Sequence, residues 1–391
     1  MSGGGIRPPR VALVHDFLLD LRGAERVFGA LCDMWPDADV FTPVYNERGT
    51  EGRFADRNIT TSFLQKLHPS SRTFRTLLPL YPLAVESFDL HGYDLVISSS
   101  SAWAHGVLPA EDAVHVCYCH NPFRYAWNAR DTTLAQHNPL ISMALGLIFT
   151  RWRQWDWIAA QRVDTYLANS QTTRRRIARY FNRDATVVYP PVETTRFRPG
   201  TVSDYYLVVS ELMPHKRINV AVEAFNRLER PLVIVGDGPE ARHLHRLAGP
   251  TVRVEGRVSD ERVSQLAQGC RALVVTATEE FGIAAVEAQA AGRPVIAHAS
   301  GGARETVVEG LTGTFYERSD ATSLVDAVRG FDDTAVDPQK CAENAERFGI
   351  DRFQRQMRGA VERALASDRA PRAERARRRA RRRPARWRRP V

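Results

Sequence analysis

The chain is short of paired cysteines, of long apolar runs and of charge on its body. Its 391 residues include five cysteines, Cys32, Cys117, Cys119, Cys270 and Cys341, scattered and odd in number. No Cys-x-x-Cys pair and no Cys/His spacing suited to zinc occurs, which excludes a disulfide scaffold and a zinc module. Cys117 and Cys119 alternate on one predicted strand and read as small buried residues, and the compartment implied is the reducing cytoplasm. No stretch reaches the roughly 18 apolar residues of a membrane-spanning helix. The first ten residues have no apolar core after their charges and do not read as a signal peptide. The net charge is +9, but residues 369–391 hold twelve Arg and one Glu, or +11, leaving −2 for residues 1–368. A nucleic-acid enzyme would carry basic residues across its body.

What is present is a repeated α/β pattern. Hydrophobic residues make up 43% of the chain, enough for two cores. After a flexible lead at 1–9, the apolar run 11–15 reads as a buried strand, followed by a loop at 16–23 and a helix at 24–34. Further strands are expected at 39–44, 93–98, 114–118 and 165–168. Prolines at 190, 191 and 199 punctuate a connection, and the pattern then restarts. Strands at 205–210, 231–235, 252–255, 272–276 and 294–298 alternate with helices at 218–228, 260–268 and 282–291. The expected fold class is therefore α/β, with two doubly wound Rossmann-like domains facing across a cleft. The first domain is placed at 10–199 and the second at 200–350. A helix at 351–368 is expected to pack back towards the first domain. Residues 369–391 are Arg/Ala/Pro low complexity and read as disordered.

The most informative segment is Thr278-Glu-Glu-Phe-Gly-Ile-Ala-Ala-Val-Glu287, followed by Ala-Gln-Ala-Ala-Gly-Arg-Pro-Val. Glu279 and Glu287 bracket a Phe-Gly-Ile turn and the start of a helix. Free amides and the positive end of the helix dipole there suit an anion, and two carboxylates suit hydroxyls. A nucleotide sugar combines both. Two solvated helix carboxylates are the plainer alternative for the spacing alone.

Together with Gly236-Asp-Gly-Pro239, this segment resembles the retaining glycosyltransferase family 4, of the GT-B fold, over roughly residues 10–366. Tyr118-Cys-His-Asn-Pro-Phe-Arg-Tyr-Ala-Trp127 and Val208-Val-Ser-Glu-Leu-Met-Pro-His-Lys-Arg217 resemble a bacterial mannosyltransferase subgroup that builds O-antigen and other polysaccharides, lipopolysaccharide among them. The resemblance implies a hexosyltransferase that moves mannose from GDP-mannose to a glycan or lipid-linked saccharide. A UDP-sugar donor on the same fold is the alternative.

By that resemblance Glu279 touches the donor sugar and Glu287 the ribose, while the backbone of Phe281, Gly282 and Ile283 approaches sugar and diphosphate. Lys216 and Arg217 supply cations for the diphosphate. The family often has an arginine where this chain has Glu211, which leaves neutralisation to Lys216 and Arg217. Gly236 and Gly238 form a turn at the ligand edge, or a merely structural one, and no third glycine completes a dinucleotide fingerprint. Arg257 and Val258 lie where the family binds the base. In the first domain His120 resembles the histidine that reaches the donor sugar, and is paired with Glu279 as the catalytic assignment. Asp16, which ends the first strand beside His15, belongs by the same resemblance to the acceptor and phosphate loop of the acceptor-binding first domain. Arg22, Gly23 and Ala24 resemble the family's glycine-rich acceptor and phosphate loop, with Ala24 in place of a second glycine. Ser98 to Ser101 line the acceptor site or form a polar turn.

Asp37-x-Asp39 is a formal metal–diphosphate motif, but it precedes its strand and reads as an ordinary turn. No metal and no cofactor is expected, the helix dipole and cations replacing Mg²⁺. Retention without an evident nucleophile points to same-face attack through an oxocarbenium-like state. The Arg/Trp-rich segments 70–82 and 140–157 suit a lipid headgroup interface or packing against their own domain, and the tail suits anionic lipid, RNA or neither. The location implied is cytoplasmic, with peripheral contact at the inner membrane face. A nucleic-acid-binding protein led by the tail is the non-enzymatic alternative, weakened by the near-neutral body.

Overall fold

The computed structural model describes residues 9–70 and 73–368. The expected N-terminal lead at 1–8 and the Arg-rich tail lie outside the described residues.

The chain divides into two compact units. Of the described residues, the first comprises those in 9–169, 173–188 and 354–368; the second comprises 170–172 and 189–353. The first holds a seven-stranded parallel sheet of β1 (Val11–His15), β2 (Asp39–Thr42), β3 (Ile59–Thr61), β4 (Leu95–Ser100), β5 (Val114–Cys119), β6 (Thr165–Ala168) and β7 (Ala185–Val187). Its order is β3-β2-β1-β4-β5-β6-β7. The second unit holds β8 (Tyr206–Val209), β9 (Leu232–Val235), β10 (Val252–Gly256), β11 (Leu273–Val275), β12 (Val295–His298) and β13 (Gly313–Tyr316). Its order is β10-β9-β8-β11-β12-β13, again parallel.

Both sheets run outward from their first strand in one direction and then reverse to the other. That leaves a crevice beside β1 and β4 in one unit, and beside β8 and β11 in the other, where ligands of doubly wound sheets bind. Central strands of such sheets are covered on both faces, and β1, β5, β9 and β12 are accordingly near-continuous apolar runs. The three strands missing from the sequence reading are β3, β7 and β13. Each is three or four residues long and carries threonine or glycine in place of an apolar run.

All five cysteines are buried and unpaired. Burial pushes the thiols of Cys32 and Cys270 up to about 12, so neither is a nucleophile at neutral pH. Asp39 opens β2, where its carboxylate accepts from the Tyr93 hydroxyl at 2.6 Å and from Asn58 Nδ2 at 2.6 Å. It therefore lies at the end of the sheet opposite the crevice, in a packing role. Among the described residues, no helix is long and apolar enough to cross a membrane.

Candidate active site

In the second unit, β8 and β11 are neighbours whose following loops meet at the crevice. Lys216 closes a short 3-10 turn after β8, and Arg217, at φ 53°, caps the helix Ile218–Leu228. Thr276, just past β11, donates its hydroxyl to the Lys216 carbonyl at 2.7 Å, tying the two loops. Lys216 Nζ then lies 2.7 and 2.6 Å from the two oxygens of Glu279. Both side chains are partly exposed, at 17% and 22%. An ammonium and a carboxylate thus converge at one point before the helix Ile283–Ala290, whose cap Gly282 sits at φ 91°.

The Phe281 side chain is buried, its ring tilted against Tyr189 and edge to face with Phe348 at centroid distances of 5.7 and 5.3 Å. Glu287 does not join Glu279 in that pair. It lies 3.3 Å from Arg196, whose other nitrogen is 2.8 Å from Asp260. Arg196 escaped the sequence reading because it sits in the proline-punctuated connection, far from the motif in sequence.

A second missed group is Ser300-Gly301-Gly302. Gly302 N donates to the Glu279 carbonyl at 2.8 Å, and Ser300 Oγ lies 2.8 Å from Thr278 Oγ1. A Cβ on Gly301 would meet Glu279 O at 2.2 Å, and one on Gly302 would meet Phe281 Cα at 2.3 Å. These glycines let the loop after β12 press directly under the Glu279–Phe281 backbone. The tandem glycine after a predicted strand was the available signal.

Gly236 and Gly238 have a comparable packing reason. A Cβ would fall 1.8 Å from Ser210 O or 2.5 Å from Leu212 O, so the turn after β9 packs backbone to backbone against the loop after β8. Arg257 is exposed and Val258 half-buried after β10.

In the first unit, β1, β4 and β5 end together. The His120 ring, 9% exposed, has Nε2 2.8 Å from Ser99 Oγ. His15 Nδ1 lies 3.1 Å from the Ser99 carbonyl, which can only accept, so His15 carries a proton on Nδ1. Its Nε2 faces Glu25 at 3.7 Å, and the two histidine rings meet edge to face at 6.5 Å. Glu25 also accepts from the Arg22 amide at 3.1 Å, capping the helix Gly23–Met34 that Gly23 and Ala24 open. The Asn-Pro-Phe-Arg-Tyr-Ala-Trp run is anchored by burial of Phe123 and by the Trp127 indole donating to Asp156 at 2.6 Å.

Asp16 is buried, and both its oxygens are occupied. Oδ2 accepts from the Ser101 amide, the Ser101 hydroxyl and the Ala102 amide at 2.5, 2.9 and 3.1 Å. Oδ1 accepts from the amides of Trp103 and Ala104, each at 2.7 Å. Asp16 therefore shapes the loop after β4. Ser98, Ser99 and Ser100 form no turn; they are the buried end of β4, satisfied by His115, His120 and His105 respectively. The strand extends past the apolar run because histidine partners compensate the buried hydroxyls.

His105 and Asp156 form a buried pair, Nε2 to Oδ1 3.3 Å. Loss of hydration pushes Asp156 up to about 8 and His105 down to about 4, so both are neutral near pH 7. His115 is likewise drawn down by burial, to about 3.

Residues 21–196 match the family model described as Glycosyltransferase Family 4, and residues 194–348 match Glycosyl transferases group 1. Together the two glycosyltransferase models match residues 21–348, and the two doubly wound parallel sheets are those of the GT-B fold class. The chain is 31% identical over 236 residues to the GDP-mannose-dependent alpha-(1-6)-phosphatidylinositol monomannoside mannosyltransferase of Mycolicibacterium smegmatis, covering 51% of this chain and 61% of that one. It is 30% identical over 225 residues to D-inositol 3-phosphate glycosyltransferase 2 of Catenulispora acidiphila, covering 48% of this chain and 53% of that one. The matches thus span little more than half the length of these relatives.

Its fold superposes on Anabaena HepE, crystallised with UDP and glucose, with a TM-score of 0.64 and 18% identity over 91% of this chain and 100% of that one. It superposes also on sucrose-phosphate synthase from Thermosynechococcus elongatus, with a TM-score of 0.70 and 16% identity over 92% of this chain and 100% of that one.

Proposed function

We propose that this enzyme transfers a hexose from a nucleotide sugar to a saccharide acceptor, free or lipid-linked, with mannose from GDP-mannose as the leading donor. The observation that carries the reading is the contact of Lys216 with Glu279 at the second unit's switch point. An ammonium ion suits a diphosphate, and a carboxylate suits a vicinal diol. Arg217 adds charge to the diphosphate, and the amides of Gly282 and Ile283 approach it from the helix start. Glu287, beside Arg196, is assigned to the ribose, and Arg257 and Val258 to the base.

In the first unit, His120 is assigned to the transferred sugar, and Arg22, Gly23 and Ala24 to the acceptor and phosphate loop. Asp16 positions the loop after β4. The reaction proposed retains anomeric configuration: the bond to the leaving diphosphate oxygen breaks as the acceptor oxygen arrives on the same face, and the diphosphate takes the acceptor's proton. The protein contributes orientation and electrostatic stabilisation of the leaving group, with no metal and no cofactor. A cytoplasmic location fits a nucleotide-sugar donor.

The mannosyl reading is supported by the name of the Mycolicibacterium relative. A UDP-sugar donor is the second reading, supported by the ligand in the HepE crystals. A thermal-shift panel of GDP, UDP and their sugars tests both. Ligand at about 100 times its dissociation constant adds about 2.7 kcal/mol of stability. Stabilisation by GDP alone supports the first reading, by UDP alone the second, and by neither nucleotide overturns the donor assignment.

A further inference from the structure

The helix Pro139–Arg162 breaks the usual rule for a surface helix. Phe149, Trp152, Asp156 and Ala160 mark its buried side. The opposite stripe, at helical spacing, is Leu140, Met143, Ala144, Leu147, Arg151 and Ile158. Leu140, Met143 and Leu147 are 76%, 65% and 68% exposed. The first three turns therefore carry apolar side chains on the exposed as well as the buried side, a pattern that calls for burial against something else.

The stripe is not isolated. Leu147 and Arg151 also line a cavity of about 390 Å³, together with Pro79, Pro82, Trp152 and Trp155. Leu80 and Leu83 lie beside it, the latter 61% exposed. Among the described residues, ten of the fourteen exposed large hydrophobic side chains fall in 63–83 or 139–162, and the cavity joins the end of the first segment to the middle of the second.

The charge of these segments is one-sided. Residues 58–85 and 132–155 contain no Asp or Glu. The exposed cations Lys66, Arg75 and Arg151 fall within them. A second copy placed on this face by a two-fold axis would oppose cation to cation. An anionic bilayer satisfies both features, taking the leucines below the headgroups and pairing the cations with phosphates.

We propose that this face of the first unit docks on an anionic phospholipid surface, with the stripe Leu140–Met143–Leu147 and Leu83 inserted at the level of the acyl boundary. The proposal rests on the surface of the first unit and is independent of the donor assignment.

The test is flotation of the full-length chain with vesicles of phosphatidylcholine, with and without about 30% phosphatidylglycerol. The parent is expected to float with the anionic vesicles. The variant Leu83→Ser/Leu140→Ser/Met143→Ser/Leu147→Ser, which touches exposed positions only, is expected to bind at least about tenfold more weakly with an unchanged thermal midpoint. Because the Arg-rich tail is retained in both proteins, equal flotation of parent and variant overturns the proposal by assigning binding to the tail. A parent that stays with neither vesicle but dimerises, and a variant that is monomeric, overturns it in favour of self-association. Donor-induced thermal shifts are read separately, so failure here leaves the donor assignment standing, and the reverse.

Discussion

Lys216 grips both oxygens of Glu279. An ammonium and a carboxylate thus neutralise each other, and under the proposed function, which assigns the first to a diphosphate and the second to a sugar, donor binding would exchange this contact for two new ones. Glu279→Ala should lower kcat about tenfold or more, since each charge-assisted hydrogen bond is worth about 1.5–3 kcal/mol. Turnover within about twofold of the parent would remove Glu279 from the site. The same variant frees Lys216, so the nucleoside diphosphate alone should bind more tightly to it than to the parent by calorimetry.

Ser99 holds His120 through its hydroxyl and His15 through its carbonyl. Ser99→Ala removes only the first contact. The expected result is a roughly threefold to tenfold fall in kcat with KM nearly unchanged, and a fall of about 100-fold for His120→Ala. A Ser99→Ala enzyme with normal kcat but raised KM would make Ser99 a binding group instead.

Stability should peak near pH 6.5. Asp156 keeps its proton up to about 8 in the fold, but its ordinary value is 3.8, so between these the unfolded chain binds fewer protons and stability falls as pH rises. His105 and His115 are drawn down to about 4 and about 3 from 6.5, so below 6.5 the unfolded chain binds more protons and stability falls as pH drops. From about 4 to 6.5 the two histidines outweigh the one acid, and above 6.5 the acid acts alone, with a slope of at most about 1.4 kcal/mol per pH unit. Asp156→Asn, which keeps an acceptor for the Trp127 indole, should abolish the decline between pH 6.5 and 8 in urea titrations. A parent whose stability is flat across that range would contradict the buried neutral acid.

Gly302 has no room for a side chain under Phe281. Gly302→Ala should cost about 2–3 kcal/mol in urea unfolding, or displace the Glu279 loop and weaken donor binding. A variant with unchanged stability and unchanged nucleotide affinity would show that the loop after β12 does not support the site.

Most of the strand pattern was readable along the chain because the central strands are apolar runs buried on both faces. The pairing of Glu279 with Lys216 was not readable. The two are 63 positions apart, and only the parallel order that makes β8 and β11 neighbours brings their loops together. Periodicity was also blind to Arg196 and Gly301-Gly302, which act through contacts with segments distant in sequence.

By itself the sequence determined the α/β class, the restart of the pattern near residue 200 and the chemistry available at Glu279, Lys216 and His120, because local periodicity and residue type carry that information. The tertiary structure alone decided that Asp16 is spent on five donors in the loop after β4, that Ser98–Ser100 are buried strand, and that Glu287 turns to Arg196. Such outcomes depend on which hydrogen-bond partners sheet order delivers, and no local pattern encodes them.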